Sequence, residues 1–175
     1  MRNLMRLGSA ALVLTALGSG AAAAAETAAL YDTYCALCHQ AAGAGASSQF
    51  PRLAGRVGAI AADPKGRAYL VQVVHNGLSG TIVVDGAPLT GVMPAQAQLT
   101  PDDVARILNY LLELRPERSG GSPEKRQRRD AGPPAPHAHP KPFTAKEVTS
   151  LAAGSKSRDE LLAERKALVD ARVIP

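Results

Sequence analysis

Residues 35–39 read CALCH, inside the stretch ALYDTYCALCHQAAG (29–43), and Cys35 and Cys38 are the only two cysteines of the 175-residue chain. With His39 directly behind them, the spacing admits four kinds of chemistry: a disulfide, a redox dithiol, half of a zinc site, or two attachment points for a covalent cofactor. The rest of the chain decides between them.

The composition is 46% hydrophobic but only 3% aromatic, so a dense core is hard to assemble from side chains alone and another body is expected to fill the middle. The N-terminus carries Arg2 and Arg6, then an apolar run from Leu7 to Leu17, then small residues up to Ala25. That order predicts a secretory signal over 1–25 and a periplasmic protein. Uncleaved, the run would be a membrane anchor, but it is rich in Ala and Gly, which argues against stable insertion. Export places both cysteines in an oxidising space, where thiols do not stay reduced without a reason.

The net charge of +5 is unevenly spread: residues 26–114 carry five Lys/Arg against seven Asp/Glu, and residues 115–142 seven against three. The basicity therefore belongs to the leader and one internal segment, and nucleic-acid binding is set aside.

Four segments follow: the signal 1–25, a domain 26–115, a disordered Pro/Gly-rich basic linker 116–142, and a helical segment 143–175. In the domain, a helix is expected from about Thr27 to Cys38, with Leu30, Tyr31 and Tyr34 on one face. The Gly/Ala/Ser-rich stretch 40–58 reads as a loop. A second helix carries Leu70, Val73 and Val74 and stops at Gly77, and Asp85-Gly86 suggests a short hairpin or tight loop. The clearest helix starts at Thr100-Pro101, with Asp102 and Asp103 at its positive end and Val104, Ile107, Leu108, Leu111 and Leu112 along one stripe. In the tail, Thr144 with Glu147 and Ser157 with Glu160 resemble capping boxes. They mark two helices too short to stand alone, so they must dock on something. The tail reads either as a strap for a partner or as a mobile appendage.

C-x-x-C-H is the attachment signature of c-type haem. Two thiols one helical turn apart reach the two vinyl groups on one porphyrin edge, and the adjacent imidazole reaches the iron. Cys35 and Cys38 are then the thioether attachments of one covalent haem c, and His39 the proximal ligand. A redox dithiol is expected in a βαβ setting, which is missing; a structural zinc site needs four ligands; a disulfide leaves His39 unexplained. Met1 and Met5 leave with the signal, so Met93 is the one thioether of the mature chain and the candidate axial ligand, with His75 as fallback. His137 and His139 in the basic linker are candidates for stray metal.

With CALCH, FPRLAG (50–55), GLSGTIVVDG (77–86), LTGVMP (89–94) and ILNYLL (107–112) in this order, the chain resembles the class I cytochromes c over residues 26–115. The resemblance implies an all-α fold of three or four helices around the haem, with a short hairpin or loop before the Met ligand. It implies that Pro51 offers its carbonyl to His39, and that Arg52 or Arg56 neutralises a haem propionate. It also implies that the first and last helices of the domain cross, with Tyr31 or Tyr34 against Leu108 and Leu111. Tyr69 and Tyr110 read as packing residues.

The function implied is electron transfer by a periplasmic carrier, not an enzyme. Its redox partner would be a respiratory complex or a dehydrogenase, in the latter case with this chain as the cytochrome subunit or as a free carrier. The alternative is a haem sensor or peroxidase-like protein whose Met93 dissociates.

Overall fold

Apolar residues spaced for one helical face, and caps that stop each run, generate most of the architecture. The computed structural model describes residues 19–46, 49–115 and 140–175. Most of the predicted signal, the predicted linker up to residue 139, and His137 and His139 lie outside the described residues.

Among the described residues seven α-helices and one hairpin follow in chain order: α1 Ser19–Tyr34, α2 Ala36–His39, α3 Arg56–Ala61, α4 Pro64–Asn76, β1 Leu78–Val84, β2 Ala87–Met93, α5 Pro101–Glu113, α6 Ala145–Ala152 and α7 Arg158–Asp170. The first helix begins before Thr27 and breaks at Cys35, so CALCH spans the end of one helix and a separate short turn. The stretch read as a loop contains a 3-10 turn, Ala41–Gly43, and the start of α3. Helix α3 is short and weakly encoded; burial of Val57 and Ile60 holds it in place.

Helix α5 matches its sequence signals closely. The Thr100 hydroxyl accepts from the Asp103 amide, and the Asp103 carboxylate reaches back to the Thr100 amide, closing both ends of a capping box. The stripe Val104, Ile107, Leu108, Leu111 is buried, and each large side chain gains roughly 2 kcal/mol from leaving water. Against it packs α1, through Tyr31, whose ring lies 5.2 Å from that of Tyr110 at 46°. Tyr31 is fully buried, whereas Tyr34 is exposed, so Tyr31 is the crossing residue.

The hairpin is antiparallel, with register from Leu78↔Met93 to Val84↔Ala87. Its turn residues Asp85 and Gly86 both have positive φ, 51° and 81°, the twist that favours a two-residue hairpin. The ladder extends far enough to make Met93 the last residue of β2, where the sequence suggested a loop position.

The C-terminal segment packs on the chain's own body: α6 on α4 and α5, α7 on α4 and β1. Phe143, Val148, Leu161, Leu168 and Ile174 are buried there. The two short helices expected to dock on something dock on the chain's own body, so the segment is not a loose appendage. The fastening is specific. Arg67 donates from Nε and Nη2 to the two carboxylate oxygens of Glu147 at 2.7 and 2.8 Å, and from Nη1 to the Lys141 carbonyl at 2.7 Å. The same guanidinium lies 3.7 Å from the centre of the Phe143 ring. Glu147 therefore does not close a capping box: the Thr144 hydroxyl accepts from its amide, but its carboxylate is taken by Arg67. Among the described residues no helix is long and apolar enough to cross a membrane.

Candidate functional site

The break after Tyr34 sets up the motif. Cys35 leaves helical geometry, and the amides of Cys38 and His39 both donate to its carbonyl at 3.2 and 2.9 Å, winding Cys35–His39 into one tight turn. The chain then reverses at Gln40, whose φ of 60° is strained for a residue with a Cβ. The buried Tyr31 braces that reversal, its hydroxyl donating to the Gln40 carbonyl at 2.8 Å.

His39 is only 7% exposed, and its Nδ1 lies 2.9 Å from the Pro51 carbonyl oxygen. A carbonyl can only accept, so Nδ1 carries the proton and Nε2 is left with its lone pair. Burial pulls the imidazole below its ordinary pKa, and the Pro51 bond opposes this in part. The ring is held neutral and oriented, the state in which imidazole binds a metal. Burial, with the Cys38 thiol second, pushes Cys35 up to about 11. That is the reverse of the lowered pKa of a redox dithiol. Among the described residues no three or more His, Cys, Asp or Glu side chains gather as a metal-ion cluster.

Cys35, Cys38 and His39 line one cavity with Met93, enclosing about 1460 Å³ of space, part of it open to solvent. Its walls come from α3, α4, the hairpin and α5, with Val57, Leu70, Val73, Leu108 and Leu111 among the apolar lining. His75, half-buried in the last turn of α4, is not on this wall. Tyr69 is, whereas Tyr110 packs on Tyr31.

Met93 is placed by the end of α4. A Cβ on Gly77 would lie 2.5 Å from the Met93 carbonyl oxygen and 2.8 Å from the Ala95 nitrogen, and φ at Gly77 is +74°. Only glycine lets the two backbones meet there. The Gln96 amide then donates to the Val74 carbonyl at 2.9 Å, tying the loop after Met93 to the same helix. The sequence signalled Gly77 as a helix stop; its close approach to Met93 is visible only in three dimensions.

Arg52 and Arg56 also line the cavity, and both engage Asp85 in the hairpin turn, at 3.2 and 2.6 Å. Arg52 further donates to the Ala54 carbonyl, and Arg56 to a Pro175 oxygen at 2.5 Å. Burial draws Arg56 below its ordinary pKa, Asp85 opposes that, and the neighbouring Arg165 and Arg52 reinforce it. Asp85 and Arg165 are the site residues that sequence reasoning missed. For Arg165 the signal was present: Leu161, Arg165 and Leu168 share one helical face at i, i+4, i+7, placing an arginine in an apolar stripe.

The donor set fits haem c: two sulfurs and an imidazole nitrogen from one turn, a thioether from the hairpin end, an apolar cavity between, and guanidinium groups for carboxylates. Residues 22–111 match the family described as cytochrome c oxidase, cbb3-type, subunit III. A cytochrome c-552 of Thermus thermophilus is 39% identical over 152 residues, 87% of this chain and 91% of the relative. A second cytochrome c-552 of the same species is 39% identical over 134 residues, 77% of this chain and 90% of the relative. With this site and these relatives, the chain belongs to the c-type cytochromes, electron carriers whose family cofactor is haem c.

Proposed function

We propose that this protein is a periplasmic class I cytochrome c carrying one haem, bound covalently through Cys35 and Cys38 and ligated by His39 and Met93. The observation that carries the reading is the convergence of these four side chains on one apolar cavity. When bound, haem supplies a one-electron Fe(III)/Fe(II) couple. The chain's residues do the rest. Cys35 and Cys38 hold the group to the backbone, Pro51 keeps the His39 ring in one tautomer, and Gly77 lets the Met93 backbone sit against α4. The apolar walls from α4 and α5 would shield a bound haem from water, which would favour its less charged reduced state. With His39 and Met93 both given to holding the iron, no ligand position would be left for a substrate.

The leader 1–25 serves export and is removed. The partner is a redox protein, a dehydrogenase or a respiratory complex, which gives or takes single electrons. Carbon monoxide added to the reduced protein at neutral pH tests the ligation: an iron capped by Met93 binds it slowly or not at all. Rapid stoichiometric binding would instead show a dissociable Met93 and a sensor or peroxidase-like protein.

A further inference from the structure

We propose that Gln72 and Asn76 of α4 are positioning residues for Met93: through them the link between α6 and α7 holds the last turn of α4, and that turn holds Met93 at the cavity. The inference rests on the reading of Met93 as the axial ligand and extends it to residues that do not line the cavity.

The last two turns of α4 present two faces. Tyr69, Leu70, Val73 and Val74 line the cavity. Gln72 and Asn76, one turn apart, meet the C-terminal segment instead. Gln72 is only 2% exposed, and burying an amide is costly unless its polar groups are paired. Its Nε2 donates to the Leu151 carbonyl at 2.5 Å and to the Gly154 carbonyl at 3.3 Å. Leu151 lies in the last turn of α6, where carbonyls have no amide ahead of them in the helix. Both carbonyls can only accept, so the Gln72 amide has one orientation and turns Oε1 to Asn76. There Asn76 Nδ2 donates to Oε1 at 2.6 Å and to the Gln72 carbonyl at 3.1 Å. Asn76 Oδ1 in turn accepts from the Ser155 hydroxyl at 2.8 Å. The two amides thus form one connected network whose outer partners, Leu151, Gly154 and Ser155, all belong to the C-terminal segment.

The turn clamped in this way is the one that seats Met93. The Gly77 amide donates to the Val73 carbonyl and the Gln96 amide to the Val74 carbonyl, both at 2.9 Å. Leu78 pairs with Met93 at the open end of the hairpin, and Gly77, next to Asn76, brings its backbone against the Met93 carbonyl. Residues 73, 74, 77 and 78 therefore bear on Met93 or on the loop behind it, while residues 72 and 76 of the same stretch are fastened from the opposite side. Removing one member of a buried network leaves the others unpaired, so the turn loosens and Met93 is held less firmly.

The test uses the full-length holoprotein and follows imidazole binding to Fe(III), well below the melting temperature, by loss of the methionine charge-transfer band. A wild-type protein without that band would defeat the Met93 reading, and the proposal with it; the variants bear on the proposal alone. Gln72→Met keeps a long side chain without its amide, and Asn76→Ala removes the next member. Each should bind imidazole about tenfold more tightly than wild type, because less is lost when Met93 leaves. Asn109→Ala is the control. Asn109 of α5 also holds the C-terminal segment, donating to the Phe143 carbonyl at 3.0 Å and accepting from its amide at 2.7 Å, away from the end of α4. That variant should lose melting temperature as Asn76→Ala does but keep the wild-type affinity for imidazole. Wild-type affinity in Gln72→Met or in Asn76→Ala, or an equal gain in Asn109→Ala, would overturn the proposal. If Gln72→Met does not accumulate, Asn76→Ala against Asn109→Ala decides.

Discussion

The Nδ1 of His39 lies 2.9 Å from the carbonyl oxygen of Pro51, twelve residues further along the chain. This bond joins the CALCH turn to the PRLAG stretch, and in the proposed haem site it would give the imidazole partial anionic character and strengthen it as an iron ligand. Proline fixes φ at residue 51 and so holds that carbonyl in place. Pro51→Gly keeps the carbonyl but frees the backbone. The reduction potential is expected to rise, by up to about tenfold in the Fe(III)/Fe(II) equilibrium, 59 mV. Redox titration reads this directly, and an unchanged potential would mean that the bond does not tune the iron.

Met93→Ala removes the thioether while leaving CALCH intact. The variant should retain covalent haem, fall in potential by more than about 59 mV, and bind carbon monoxide rapidly when reduced. A potential equal to that of wild type would reassign the axial position.

At Gly77 the prediction separates a placement effect from a strain effect. Gly77→Ala puts a methyl 2.5 Å from the Met93 carbonyl, so it should cost roughly 1–3 kcal/mol and weaken the Met93–iron bond. Gly86→Ala is the control: φ is +81° there as well, but nothing lies within 4 Å. That variant should lose about 1 kcal/mol by thermal melting and keep the methionine charge-transfer band unchanged. Loss of the band in both variants, or in neither, contradicts this account of how Met93 is placed.

The bidentate contact of Arg67 with Glu147 fastens α6 to α4 and should make C-terminal docking sensitive to acid. The Arg67 hydrogen bonds hold the Glu147 carboxyl below its ordinary pKa, burial opposing in part. Because the folded-state value is depressed, the contribution is complete above the ordinary glutamate range and is lost as pH falls through the lowered value. Arg67→Ala should cost about 2 kcal/mol at pH 7, since it also releases the Lys141 carbonyl and the Phe143 ring. Stability curves of wild type and Glu147→Gln should differ at neutral pH and converge in acid. A gap that persists at low pH would show that charge is not what fastens the segment.

Local chemistry explains what could be read in advance. The Thr100 cap, the α5 stripe and the Asp85-Gly86 turn are signals confined to a few neighbouring residues, and the structure shows each element they mark. Helix α3 escaped because RVGAIA has little intrinsic pattern and depends on Val57 and Ile60 finding a core made by distant segments. The Thr144 pattern misled for a similar reason: Glu147 has a stronger partner in Arg67, 80 residues away. Around the cavity, CALCH and Met93 were visible from residue type and scarcity. Asp85 was not, and Arg165 showed only as an arginine in an apolar stripe, because their places at the cavity depend on the hairpin and α7 meeting Arg52, Arg56 and Tyr69 in space.

The most direct test is the intact mass of the protein exported together with a haem c maturation system, followed by mapping of its peptides. The account predicts the processed polypeptide plus one haem, retained through denaturation and located on the peptide containing Cys35, Cys38 and His39. A bare polypeptide mass, or haem that separates on denaturation, would contradict it.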